Sequence, residues 1–482
     1  MSNQYWVDKD ATGLFSDADA WGSASGVEDS TGPPGAGDKA IFDAAAGNPQ
    51  NNCRLDVSIT VGEIETQAGY TGTVDGATDN LNHEVTDASG GNGDMILDGT
   101  QITMGGGKWT VRGNFDNEHT LMASNSGEVE LTGASKILTS TLATNQSFYS
   151  LTISGSITTG GDGFYVFSGS TLDNSGTITV SSGDTVRVSF SITITNSGII
   201  TGLGKLAIDF NCKITVLGTI NVATLQIRRP TQNPVLVAGQ YDSATVSIEA
   251  EDGGTGARTF KFAAGTTTFT GHVTFSNDPS ASTKSLIVDN TANNPTLIFQ
   301  GDVAIEENGA GTVTWTRGAN TITLNGSNNQ DLALLEKEVE DLEIDKPAGT
   351  VTVIDSFTTD SFAGTDGTLN PNGKTITVTG GMDWASGFVI ADPVGSTFVV
   401  GGNFTANAQD ISGASGEWFL KVSGTAVASG VGDVAHSNAG GFTEIDASVG
   451  PWADSGNNTN WNFGVAAGNP WYHYANQAAI VG

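Results

Sequence analysis

One motif is written four times between residues 151 and 220: Ile153-Ser154-Gly155-Ser156-Ile157, Asn174-Ser175-Gly176-Thr177-Ile178, Asn196-Ser197-Gly198-Ile199-Ile200 and Val216-Leu217-Gly218-Thr219-Ile220. The glycines follow one another at 21, 22 and 20 residues. A turn glycine leading into a Thr/Ile strand at a near-constant interval is the mark of a chain that stacks on itself. A rung of this length fits one circuit of a right-handed parallel β-helix. Such a rung is too small to bury its own apolar side. Stacked at ~4.8 Å, its backbone groups pair above and below, and inward Ile, Val, Leu and Phe form ladders. Thr177-Ile178-Thr179-Val180 and Ser191-Ile192-Thr193-Ile194-Thr195 show the required period of two, with Thr and Ser outward. Gly and Asn at the corners are expected to take backbone angles that residues with a Cβ resist. The fold expected is therefore all-β.

At 482 residues an ordinary chain would divide into several domains, but a solenoid core grows along one axis. The chain holds 65 Gly and only 15% charged residues. With its β-branched runs, that balance argues for strands and turns rather than acidic disorder. Lys plus Arg number 19 against 52 Asp plus Glu, a net charge of −33. That sign excludes nucleic acid as a partner and disfavours an anionic membrane surface. The opening MSNQYWVDKD has neither the basic nor the apolar region of a secretory signal. No apolar run approaches the ~18 residues of a membrane span. Assembly inside a cell with release by lysis is one route out that fits this pattern. Cys53 and Cys212 are expected to be small buried hydrophobes, not a disulfide pair.

Three segments are expected: an N-terminal capping or attachment segment at 1–75, a repeat body at 76–450 and a C-terminal cap or tail at 451–482. Trp6, Trp21 and Phe42 in the first, and Trp471, Tyr472 and Tyr474 in the last, read either as cap packing over an open rung or as docking surfaces for a partner. Residues 329–345, NQDLALLEKEVEDLEID, admit two readings. Leu332, Leu335, Val339 and Leu342 have the a/d spacing of an amphipathic helix or a seam between subunits. The same stretch also reads as a rung with acidic outward residues, which the following Thr350-Val351-Thr352-Val353 favours. Lys108 to Phe115 and Phe398 to Phe404 both run from an alternating strand into Gly-Asn-Phe, and are expected at equivalent rung positions. Pro230 ends the clean repeat, and Arg228 and Arg229 are expected to meet carboxylates of a neighbouring rung or subunit.

Carboxylate pairs are the candidates for chemistry, since β-helices include glycan-cleaving enzymes that use them. Glu306 with Glu307, Glu249 with Glu251, and Glu336, Glu338 and Glu340 are the candidates, each read as a solvated outward face. His83, His119, His272, His436 and His473 form no zinc pattern. Gly90-Gly91-Asn92-Gly93-Asp94 comes close to a calcium-binding repeat, but its aspartate is one residue early and the unit does not recur. No catalytic, metal or cofactor residue is assigned.

The ends of the chain carry a resemblance. Tyr5-Trp6-Val7, the segment ending at Trp21, Gly37-Asp38-Lys39-Ala40-Ile41-Phe42-Asp43, Tyr70 to Val74, and Asp454 to Phe463 are similar to the opening and closing segments of β-helical structural proteins of tailed bacteriophages. Similar segments flank repeat regions of bacterial surface proteins. The resemblance implies a virion location as a head fibre, decoration or tail fibre protein, contacts with capsid or tail proteins and with host-surface glycan, and self-association, often as a homotrimer. A tailspike-like polysaccharide depolymerase and a bacterial surface adhesin are the alternatives.

Overall fold

The structure is a computed structural model. It describes residues 1–463 apart from 9–12, 28, 46–50, 87–91, 100, 118–120, 124–126, 141–146, 168–170, 210, 231–233, 251–256, 278–283, 408, 412–414, 431, 441 and 449–451. The chain forms two compact units, residues 1–288 with 307–313, and residues 289–306 with 314–482. Each is a parallel β-solenoid with three strands to a circuit, and among the described residues neither contains an α-helix.

In the first unit the repeat read from the sequence is the clean part of the coil. Thr171–Asn174, Thr177–Val180 and Thr185–Ser189 make one circuit, with one strand on each of three faces. The next two circuits lie within Thr193–Asp209 and Lys213–Arg228. Register stacks like on like. Leu172, Ile194 and Ile214 form the inward column of the first face, Ile178, Ile200 and Ile220 that of the second, and Val188, Ile208 and Ile227 that of the third. All nine are buried. The period-two alternation thus places every second side chain in one shared core.

The repeat glycines sit at the corner between the first and second faces, for a reason other than the expected one. None of Gly155, Gly176, Gly198 and Gly218 has a positive φ. Their constraint is close approach. A Cβ on Gly176 would lie 1.7 Å from the carbonyl oxygen of Gly155, and one on Gly198 2.1 Å from that of Gly176. A Cβ on Gly218 would meet Gly198 in the same way, at 2.1 Å. Each glycine is needed because the rung beneath presses a peptide oxygen where a side chain would stand. Beside this column Asn174 and Asn196, both buried, form a short amide ladder, Asn174 Nδ2 donating to Asn196 Oδ1 at 2.7 Å.

Corner asparagines and aspartates link circuits in both units. The amide of Ile137 donates to Asn114 Oδ1 at 2.9 Å, and that of Thr425 to Asn403 Oδ1 at 3.0 Å. The two Gly-Asn-Phe segments therefore occupy equivalent corners, as their likeness predicts.

In the second unit Phe357, Ile376, Phe398 and Leu420 stack in register, and Phe362, Met382, Phe404 and Ala426 form a second column. Trp384 fills the space between two of these columns, its ring 5.4 Å from Phe398 and 4.9 Å from Phe404. Residues 329–345 are a rung: Gln330–Ala333, Glu338–Val339 and the start of Asp341–Val353 are strands. Leu332, Leu334, Val339, Leu342 and Ile344 are its buried apolar members. Leu335, which the helical spacing places inside, instead turns a corner at φ 45° and is half-buried.

Candidate functional site

The aromatic residues offered as docking groups at the start of the chain are interior. Ser2–Trp6 pairs parallel with Asp38–Phe42 and antiparallel with Trp21–Gly22. That pairing brings Trp6 to 5.3 Å from Trp21 and 6.0 Å from Phe42, ring to ring. Trp6, Trp21 and Phe42 are all buried, and Trp21 Nε1 donates to the Phe15 carbonyl at 2.9 Å. Their ring faces are taken up by one another. Trp471, Tyr472 and Tyr474 lie outside the described residues.

The candidate carboxylates separate into different environments. Glu306, Glu336 and Glu338 are exposed, Glu338 beside Arg317 at 3.2 Å. Glu307 accepts the Val313 amide at 2.8 Å. Glu249 accepts from Gln226 Nε2 at 3.0 Å, and Glu251 lies outside the described residues. Glu340 overturns its reading as a solvated residue: it is 2% exposed. Asn290 Nδ2 donates to its carboxylate at 2.7 Å, Trp315 Nε1 at 2.7 Å and the Gly318 amide at 2.9 Å. A carboxylate without a cationic partner can be buried when several donors replace its water.

Other ionisable groups are drawn into the body of the coil, and among them Asp209, Arg187 and Lys346 were not singled out by the sequence. On the third face of the first unit Asp209 is fully covered, in register with Arg228. Arg228 Nε donates to Asp209 Oδ1 at 2.7 Å, and Arg187 Nε to Oδ2 at 2.8 Å, from the circuits on either side. Arg187 also lies over the Tyr165 ring, 5.0 Å from its centre. The expected pairing of Arg228 with a neighbouring rung is thereby met. In the second unit Lys346 is fully buried and donates to the carbonyls of Gly326 at 2.6 Å and Asn328 at 2.8 Å, and to Gln330 Oε1. Burial lowers its ammonium to about 8. His83 is buried against Trp109, and loss of water lowers its imidazole to about 4. Cys53 and Cys212 are buried and not joined in a disulfide, as expected, and burial pushes the Cys212 thiol up to about 12. A thiol held protonated is a poor nucleophile.

A concave feature in the first unit is a shallow groove of about 360 Å³ lined by Gly13, Asn52, Arg54, Thr73, Asp75, Gln101 and Thr103. Parallel register builds it: Arg54, Asp75 and Thr103 are neighbours across three strands, with Thr73 and Gln101 beside them. Arg54 grips Asp79 through two bonds of 2.7 and 2.6 Å. Burial alone would raise the Asp75 carboxyl. Hydroxyl donors Thr78 and Thr103 and the amides of Ala77 and Thr78 reverse that and hold it below the usual range. A carboxylate so held is a poor proton donor.

Among the described residues no three His, Cys, Asp or Glu side chains are grouped to hold a metal ion. In the calcium-like segment, Asp94 Oδ1 accepts the Asn114 amide at 2.7 Å, and residues 87–91 lie outside the described part. No protein-family model matches the chain, and searches of curated proteins and of solved structures return no match.

Proposed function

We propose that this chain is a non-enzymatic structural protein of a tailed-phage particle, a fibre or decoration on the capsid or tail whose outward faces meet other virion proteins and host-surface glycan. One observation carries the reading. Of the candidate carboxylates Glu340 is committed to holding circuits together under three donors, and the buried Asp209 does the same under two arginines. Polar side chains used as rung-to-rung ties suit a part that must keep its form outside a cell. The similarity of both chain ends to phage structural proteins supports the same role. The charge of −33 keeps so strand-rich a body apart from its neighbours and from packaged nucleic acid.

Mass spectrometry and electron microscopy of purified particles test the proposal. Peptides of this chain in intact virions, with projections lost when its gene is deleted, are the expected result. Peptides found only in a bacterial envelope would transfer the chain to the adhesin class. Oligosaccharide released from capsular polysaccharide by the purified protein would make it a depolymerase.

A further inference from the structure

The second face of the first unit differs from the two beside it. Its earlier strands include Glu63–Thr66, Met95–Leu97 and Phe115–Asn117, which carry Glu63, Glu65 and Asp116. Its seven later strands are Lys136–Ser140, Ser156–Gly161, Thr177–Val180, residues 199–202 and 219–222, Gly239–Tyr241 and Thr266–Phe269. The seven later strands contain no Asp or Glu in a chain that has 52, and a single cation, Lys136. Over the same circuits the outward side of the first face carries Glu128, Glu130 and Asp173, and that of the third carries Arg187, Asp209, Arg228 and Glu249.

Charge is replaced here by hydroxyls and aliphatic groups. Ile137, Thr158, Thr179 and Thr201 stand in one outward column, and Ile199 stands beside it in register with Thr177. Ile137 is 50% exposed, Ile199 42% and Leu203, at the corner that follows, 75%. Exposed aliphatic side chains along a sheet face without carboxylates mark an interaction surface.

We infer that this face is a self-association surface and that its occupant is a second copy of the chain. Two arguments select that partner. Copies carrying −33 each repel, and a stretch without carboxylates is where two of them approach at least cost. The face is also complementary to itself. A threonine hydroxyl both donates and accepts, and those of Thr158, Thr179 and Thr201 make no hydrogen bond within the described chain. A twofold interface requires that self-complementarity, because the same patch serves both copies.

Geometry sets the strength. Seven strands at ~4.8 Å, each presenting about four residues at ~3.3 Å, span roughly 450 Å² per copy. That is about half the ~800 Å² per partner of a standard stable interface. The pairing is therefore reversible and responds to salt. It does not depend on the virion reading, since a chain absent from particles could still self-associate.

Sedimentation of the full chain tests it. Raising salt to about 1 M cuts the Debye length to about 3 Å and should tighten dimerisation by at least about tenfold relative to low salt. Double substitution T179D/T201D places carboxylates in the outward column and should keep the chain monomeric at every salt concentration. L203D, at the most exposed aliphatic position, should weaken pairing with its circular dichroism and melting unchanged. A wild-type chain that stays monomeric at millimolar concentration in about 1 M salt overturns the inference. Association of folded T179D/T201D or L203D at the wild-type level overturns it as well.

Discussion

At the scale of single residues, the tightest constraint is the glycine corner. Gly176→Ala would press a methyl into the Gly155 carbonyl, so either the rungs part or the backbone shifts. We expect a loss of about 3 kcal/mol, at the upper end of overpacking costs, against under ~0.5 kcal/mol for Thr179→Ala on the outward face. Urea unfolding followed by circular dichroism would measure both. His83 offers a test by pH. Its folded pKa of about 4 lies below the ordinary 6.5, so between these values the unfolded chain binds the extra proton. Stability from this group is complete above pH 6.5 and is lost as pH falls toward 4, by roughly 3 kcal/mol in all. His83→Phe should flatten that part of the pH–stability curve. Neither role could be read from residue type alone. The glycine interval marked a corner, but only the stacked carbonyls showed why the corner excludes a Cβ.

At the scale of one element, the rung at 329–345 shows where local pattern misleads. Helical spacing and strand alternation share Leu332, Val339 and Leu342, so the sequence holds both readings at once. Neighbouring strands decide between them by pairing Gln330 with Val351 and Leu342 with Phe362. The same folding carries Glu340 inward to Asn290, 50 residues earlier in the chain. Glu340→Ala should strand the Asn290, Trp315 and Gly318 donors and cost about 3–5 kcal/mol. Glu340→Gln keeps one acceptor and should cost less. Trp315 fluorescence during unfolding would report both, since its indole loses a charged partner at 2.7 Å in the first case.

At the scale of the whole molecule, stability is local in the way of repeat proteins, because each circuit touches chiefly its two neighbours. A lesion in one rung should open that rung and the next before it unfolds the unit. Hydrogen exchange on Gly176→Ala should therefore show protection lost around residues 150–200 of the first unit while residues 357–422 of the second keep theirs. Uniform loss across both units would mean that the chain unfolds as a single cooperative body.

What the sequence determined alone is the coil: a near-constant interval of corner glycines with two-fold alternation between them admits little else, because only stacking buries so small an apolar face. Tertiary structure alone decided which polar groups went inside. Asp209 with Arg187 and Arg228, Glu340 with Asn290 and Trp315, and Lys346 with the carbonyls of Gly326 and Asn328 are each brought together from 18 to 50 residues apart. Their separations, other than the 50 from Asn290 to Glu340, are about one rung, so the spacing was present in the chain from the start. It became legible only when register fixed which side chains face each other, since a shift of one residue would have sent every one of them to the opposite side.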